Sequence, residues 1–265
     1  MSKIFEALEH ARAERKALKP ELVTAKVPTH PASVPTAVPM PLPPPAPNVQ
    51  PFPLQPAEAA FEREMAGIYH PIISGLPNGK GMVLFLGSNE SDGVSTMARE
   101  FASFVSTHVG STTLLFDADR QNPSQLAHFG IRGATDFEAV VHDGRGIDEA
   151  IYPVRNTGLN VTALSLRPTT RPFVFSGPRT DHLMSQMRQR FDLIVIDSPA
   201  PTDSPDMLAL SAKVDGVVLV IQADQTRFHQ AKRTKELIEA NGGKLLGLVF
   251  NKRRFFIPDW IYKRL

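Results

Sequence analysis

The 265-residue sequence contains no cysteine, a single tryptophan and only three tyrosines. Without cysteine these residues offer no disulfide, no thiolate metal ligand and no thiol nucleophile. The first residues, MSKIFEALEHARAERK, mix acids and bases and lack the apolar core of a signal peptide. No apolar run approaches the ~20 residues of a membrane span, so a cytoplasmic location is expected. An excess of one charge is also missing. The 29 Lys and Arg stand against 27 Asp and Glu, for a net charge of +2. That leaves no broad field to draw the chain onto nucleic acid. Charge disappears altogether from Val27 through Ala57, where no Asp, Glu, Lys or Arg occurs.

The remaining features divide the chain into four parts. Residues 1–19 read as a helix, with Ser2 as N-cap and Ile4, Leu8, Ala11 and Arg15 along one narrow stripe. Isolated helices of this length are marginal in water, so docking onto another surface is expected. Residues 20–57 hold 13 of the 24 prolines and read as an extended or disordered spacer. Residues 58–251 alternate short apolar runs with amphipathic stretches. Strands are predicted at 82–86, 113–116, 159–163, 193–196, 216–221 and 245–250. Helices are predicted at 94–108, 179–190, 205–211 and 225–241, and before them a helix that stops at Pro71. Near-continuous apolar strands between helices imply a parallel sheet covered on both faces, an α/β three-layer architecture. Residues 252–265 form a tail in which basic and aromatic side chains alternate.

Ligands of such sheets sit beyond the carboxyl ends of the strands, and four stretches fall there. GSNESDGVST, residues 87–96, runs from a strand through Gly87 and Gly93 into a helix opening at Val94. Free backbone amides and the helix dipole at that point suit a phosphate, and Ser95 or Thr96 offers a hydroxyl for Mg²⁺. In TLLFDADRQNP, Asp117 and Asp119 end a strand, where carboxylates can hold a metal or accept a proton. In RFDLIVIDSPAPTDSPDM, Asp197 closes another apolar strand, the position of a Mg²⁺-directed carboxylate in phosphate-loop proteins. In LLGLVFNKRR, Asn251 ends the last strand, and its amide could read an adenine edge.

The order loop, D-x-D, strand-Asp, strand-Asn resembles the cytoplasmic domain of bacterial tyrosine kinases of capsule and exopolysaccharide synthesis. These belong to the deviant phosphate-loop ATPases, together with cell-division and plasmid-partition ATPases. Residues 87–96 match the family's S-x-x-P-G-E-G-K-S-T at Gly93, Ser95 and Thr96. LLFDADRQNP resembles L-L-I-D-A-D-x-R-x-P, FDLIVIDSPAP resembles Y-D-x-V-I-I-D-T-P-P, and GLVFN resembles G-x-V-x-N. The resemblance covers about residues 58–251. It implies MgATP or MgADP as ligand, with Gly87, Gly93, Val94, Ser95, Thr96 and Asn251 around the nucleotide. It implies Ser95, Asp117 and Asp197 around Mg²⁺, and Asp117, Asp119 and Asp197 as the catalytic carboxylates. It also implies an inner-membrane polysaccharide co-polymerase or chain-length protein as partner, peripheral membrane attachment through it, and ring-like homo-oligomers built through residues 61–69.

Three departures qualify what is implied. Val94 stands where the family has the lysine that contacts the β- and γ-phosphates. Glu90 and Asp92 bring two carboxylates to the loop, which predicts repulsion of phosphate. The C-terminal tyrosine cluster is missing, since Tyr69 and Tyr152 lie in the domain and Tyr262 alone in the tail. The expectation is a kinase-like ATPase domain with weak nucleotide binding that regulates polysaccharide synthesis and export through a partner. One alternative is an active tyrosine autokinase in which Lys80 or another lysine substitutes. The other is a partition-type positioning ATPase.

Overall fold

A computed structural model describes residues 59–168, 175, 177–223 and 225–252. The helix expected over 1–19, the spacer and the tail beyond Lys252 lie outside the described residues. Seven strands form one sheet: β1 (Gly81–Gly87), β2 (Thr113–Asp117), β3 (Tyr152–Pro153), β4 (Leu159–Ala163), β5 (Leu193–Asp197), β6 (Gly216–Gln222) and β7 (Leu245–Asn251), in the order β3-β4-β2-β5-β1-β6-β7. All pairings are parallel except the two-residue edge β3–β4. All six predicted strands are present, four of them extended by one residue to the polar group that ends each apolar run.

Helices cover both faces, because the side-chain period of two splits every strand. In β1, Val83 and Phe85 enter one buried cluster with α1 (Ala59–Gly75) and α2 (Val94–Phe104). Met82, Leu84 and Leu86 enter the other, which includes residues of α4 (Phe137–Asp143), α5 (Pro178–Arg190), α6 (Asp206–Ser211) and α7 (Phe228–Ala240). A one-turn helix α3 (Gln125–His128) precedes α4. The three-layer α/β expectation holds. No described helix is long and apolar enough to cross a membrane.

Two local expectations change. The first helix does not stop at Pro71 but runs on to Gly75. Proline removes one ladder hydrogen bond, and the carbonyl it orphans is that of Gly67. Both Gly67 and Pro71 are exposed, so that carbonyl is open to solvent, while Met65 and Ile72 hold another side of the helix in the core. The helix predicted over 94–108 keeps its α form to Phe104 and closes in a π turn, Val105–Val109, before a left-handed Gly110.

Candidate functional site

The carboxyl ends of β1, β2 and β5 meet in a cavity of about 380 Å³. Sequence dictates this, because each of these apolar strands runs out at Gly87, Asp117 or Asp197. Asn89, Glu90, Gly93, Val94, Ser95 and Thr96 line one side, with Asp119, Gln121, Ser124, Ser198 and Asp203 opposite. Gly93 stands at φ 82°, ψ 31°, and no side chain caps the first turn of α2. The leading amides of that helix are therefore free donors facing the cavity.

Asp117 and Asp197 are partners in the β2–β5 register and face the same side of the sheet. Both are buried. The oxygens of Asp117 are committed: Oδ1 accepts from Asp119 N at 3.1 Å, and Oδ2 from Ser124 N at 2.8 Å and Gln125 N at 2.9 Å. Asp197 Oδ2 accepts from Gln125 Nε2 at 2.7 Å, whereas its Oδ1 is buried with no hydrogen-bond partner. Burial pushes Asp117 up to about 8, with the adjacent Asp197 adding to the effect and three backbone donors opposing it. Burial likewise pushes Asp197 up to about 6, against the pull of Gln125 and Ser95. Two such carboxyls cannot both ionise cheaply, and they titrate as a pair.

Gln125 is the residue that sequence reasoning missed. It is fully buried and donates also to Ser95 O at 3.0 Å, while its Oε1 accepts from Arg99 Nη1 at 3.3 Å. It fixes the orientation of Asp197 and joins that strand end to the start of α2. Its only sequence signal is its place eight residues after a strand-ending Asp, at the start of a helix.

The other predicted residues divide. Ser95, Thr96, Gly93, Val94 and Asp119 line the cavity, although Val94 is 6% exposed and belongs largely to the core. Asp119 Oδ1 accepts from Gln121 N and Asn122 N, both at 2.9 Å. Gly87 lies behind the loop, where an added Cβ would come within 2.8 Å of Val94 Cγ2. Asn251 does not line the cavity: its Nδ2 donates to Asp92 O at 2.9 Å and its Oδ1 accepts from Lys252 N. Lys80 sits at the opposite end of β1, paired with Asp192 at 2.6 Å, and cannot reach the loop. Of the two loop carboxylates, Glu90 is exposed at the cavity, but Asp92 is buried and turned away, so the second source of repulsion is absent. Arg120 points away as well, with its Nη2 donating to both carboxylate oxygens of Glu138, while Gln121 lines the cavity.

No three His, Asp or Glu side chains converge as a metal-binding group among the described residues. That leaves Asp197 Oδ1 and the neighbouring Ser95 hydroxyl as the pair that could take a hard cation. Mg²⁺ keeps most of its shell as water and phosphate oxygen and needs only one or two protein ligands. The donors present therefore fit a Mg²⁺-nucleotide at Ser95 and Asp197. Asp117 spends both lone pairs of Oδ2 and one of Oδ1 on backbone amides, which leaves it one acceptor site of about four.

A glycine-bearing loop that leaves an interior strand of a parallel sheet and opens a helix defines the phosphate-loop NTPase class. The chain belongs to the ParA family, described as NUBPL iron-transfer P-loop NTPases, whose model matches residues 87–262. Its relatives include bacterial tyrosine kinases and an iron-sulfur cluster carrier protein of Synechocystis, which is 26% identical over 205 residues, or 75% of this chain and 54% of that protein. The tyrosine-protein kinase YwqD of Bacillus subtilis is 25% identical over 172 residues, or 65% of this chain and 72% of that protein. CapB of Staphylococcus aureus is 27% identical over 143 residues, 54% of this chain. The chain spans 63% of the length of CapB and 23% of that of EpsB of Ralstonia solanacearum. Among solved structures, the chimerical protein CapA2B2 aligns with TM-score 0.68 at 22% identity, over 75% of this chain and 87% of its own. The VpsO kinase domain aligns with TM-score 0.63 at 21% identity, over 73% and 96%. At that identity the structures speak for the fold alone.

Proposed function

We propose that the cavity binds MgADP or MgATP weakly, and that the protein is a kinase-like regulatory component of exopolysaccharide or capsule synthesis and export. The observation that carries this reading is the unpartnered Oδ1 of Asp197, buried beside Ser95 at the start of a helix whose first amides are uncapped. A buried carboxylate oxygen that has the Ser95 hydroxyl beside it but no hydrogen bond of good geometry is costly, and a divalent cation is the partner that suits it. When bound, Mg²⁺ would screen charge between phosphate oxygens. The chain's own part is positioning: loop amides and the Ser95 and Thr96 hydroxyls at the phosphates, Asp197 at the cation, and Asp117 stiffening the D-x-D turn through three backbone amides.

Val94 weakens both binding and transfer, because no ammonium meets the outer phosphates. The lost charge-assisted hydrogen bond is worth about 1.5–3 kcal/mol, or roughly 10- to 150-fold in affinity. Phosphoryl transfer rests on positioning and charge stabilisation, so catalysis suffers more than binding. The kinase relatives support a role in the same kind of system, and the mode of action we propose is contact with an inner-membrane co-polymerase. Iron transfer, part of the family's description, is not carried over, because these residues include no thiolate for a cluster.

Calorimetric titration of MgADP and MgATP into wild type, Val94→Lys and Asp197→Asn tests this. Expected are weak wild-type binding, tightening by the factor above in Val94→Lys, and loss in Asp197→Asn. Wild-type affinity equal to that of Val94→Lys would show that valine costs nothing. The active-autokinase reading, supported by the convergence of Asp117, Asp119 and Asp197, would then lead. Phosphotyrosine detection with an Asp117→Ala control would examine it.

A further inference from the structure

The phosphate loop is held from behind. Asp92 is fully buried, and its carboxylate accepts four hydrogen bonds from two separate parts of the fold. Oδ2 takes Ser88 N and Asn89 N, both at 2.8 Å, closing the loop on its own start. Oδ1 takes Gln222 N at 3.1 Å, from the last residue of β6, and Thr226 Oγ1 at 2.7 Å, from the connection between β6 and α7. Thr226 in turn accepts from Gln222 N at 3.1 Å. None of this uses the cavity-facing amides of Gly93 and Val94. The carboxylate therefore does not compete with a phosphate for donors, and it sits on the far side of the loop from the cavity.

We propose that Asp92 is a positioning residue that latches the phosphate loop to the β6–α7 connection, so that the two open and close as one unit. A loop of polar residues has no packing of its own to keep residues 88–93 in one conformation, and backbone ordering costs roughly 1–2 kcal/mol per residue. Four donors converging on one buried carboxylate supply that order before any ligand arrives. Movement at the start of α7 reaches the loop through Thr226. The consequence for phosphate affinity rests on the nucleotide reading above, whereas the latch itself does not.

Amide hydrogen exchange on the nucleotide-free full chain tests it, with Thr226→Val as the mild variant and Asp92→Asn as the severe one. In Thr226→Val the amides of Ser88 and Asn89 should lose protection together with that of Gln222, although Thr226 touches neither loop residue. In Asp92→Asn the same amides should exchange roughly 10- to 150-fold faster, equivalent to about 1.5–3 kcal/mol. Amides of β1 and β5 should stay at wild-type rates in both. The proposal is overturned if Thr226→Val changes Gln222 alone, or if exchange rises equally throughout β1 and β5. Titration of MgADP into wild type separates the two readings: no binding with the exchange pattern intact sinks the nucleotide reading and leaves the latch.

Discussion

Replacing Asp197 with asparagine tests whether two buried carboxyls oppose each other at the centre of the site. They are partners in the β2–β5 register, and parallel strands run about 4.8 Å apart. An unfolded Asp ionises near 3.8, whereas burial raises Asp197 to about 6 and Asp117 to about 8. Between those limits the folded chain keeps protons that the unfolded chain has released. Stability is therefore fully present at low pH and falls as pH rises through the window. Each retained proton gives a slope of about 1.4 kcal/mol per pH unit, so the two-unit shift of Asp197 corresponds to at most roughly 3 kcal/mol. Asparagine removes that ionisation and with it a cause of the Asp117 shift. The exchange is not free, because Gln125 Nε2 needs an oxygen acceptor. The new NH₂ must then take the place of the unpartnered Oδ1, and a buried unsatisfied donor costs about 1–3 kcal/mol. The two effects nearly cancel in net stability near neutral pH, which leaves the slope as the discriminating quantity. Urea unfolding midpoints at about pH 5, 6.5 and 8 in the presence of a chelator measure it. Wild type should lose stability steadily as pH rises, and Asp197→Asn should lose less by about one proton's worth. Wild-type stability that is level or rises with pH, or a variant with the wild-type slope, refutes the repulsion.

Two further substitutions examine the loop and the opposite end of the strands. Gly93→Ala places a Cβ 2.3 Å from Asn251 Nδ2 at φ 82°; left-handed strain of ~1–2 kcal/mol plus a displaced hydrogen bond of ~1 kcal/mol should lower stability by roughly 2–3 kcal/mol in thermal unfolding. In an Asn251→Ala background that cost should shrink to the strain alone. The second is Asp192→Asn: the Lys80 ammonium, then Thr112, hold Asp192 down at about 2. Its contribution is present above the unfolded value of 3.8 and disappears as pH falls through about 2. Lys80 is 65% exposed, so solvent screening limits the effect to about 1 kcal/mol; the variant should match wild type in strong acid and trail it at neutral pH.

The sheet was legible because each strand between helices is a near-continuous apolar run that stops at a polar residue. That same stop places Asp117, Asp119 and Asp197 at one end of the sheet. What the pattern could not supply was the state of each oxygen. Asp117 and Asp197 look alike in sequence, yet three backbone amides occupy one and a single side-chain amide reaches the other. The helix Phe137–Asp143 and the edge Tyr152–Pro153 were missed for a different reason. Each is short, and tertiary contacts rather than periodicity decide it: Glu138 N bonds to Leu164 O, and Tyr152 pairs across to Val161. Lys80 was misplaced as a stand-in cation because sequence distance from the loop is small, while the strand between them carries the two to opposite ends of the sheet.

The missing lysine and the intact loop are separable for a structural reason that no local reading of GSNESDGVST contains. The contacts that shape the loop come from residues far along the chain: Gln222 and Thr226 reach Asp92 across 130 and 134 positions, Asn251 across 159, and Lys252 reaches Ser91 across 161. All approach from the ends of β6 and β7, behind the loop. A phosphate-loop lysine belongs to the cavity side and contributes charge to the ligand. Its replacement by Val94 therefore takes charge away without taking away shape, and the valine adds its side chain to the core that supports α2. Gly93 stays glycine because the clamp from β7 leaves no room for a Cβ. On this physical account a single Val94→Lys substitution should suffice to raise nucleotide affinity, whereas no lysine at position 94 should rescue a chain in which Asp92 has been cut away.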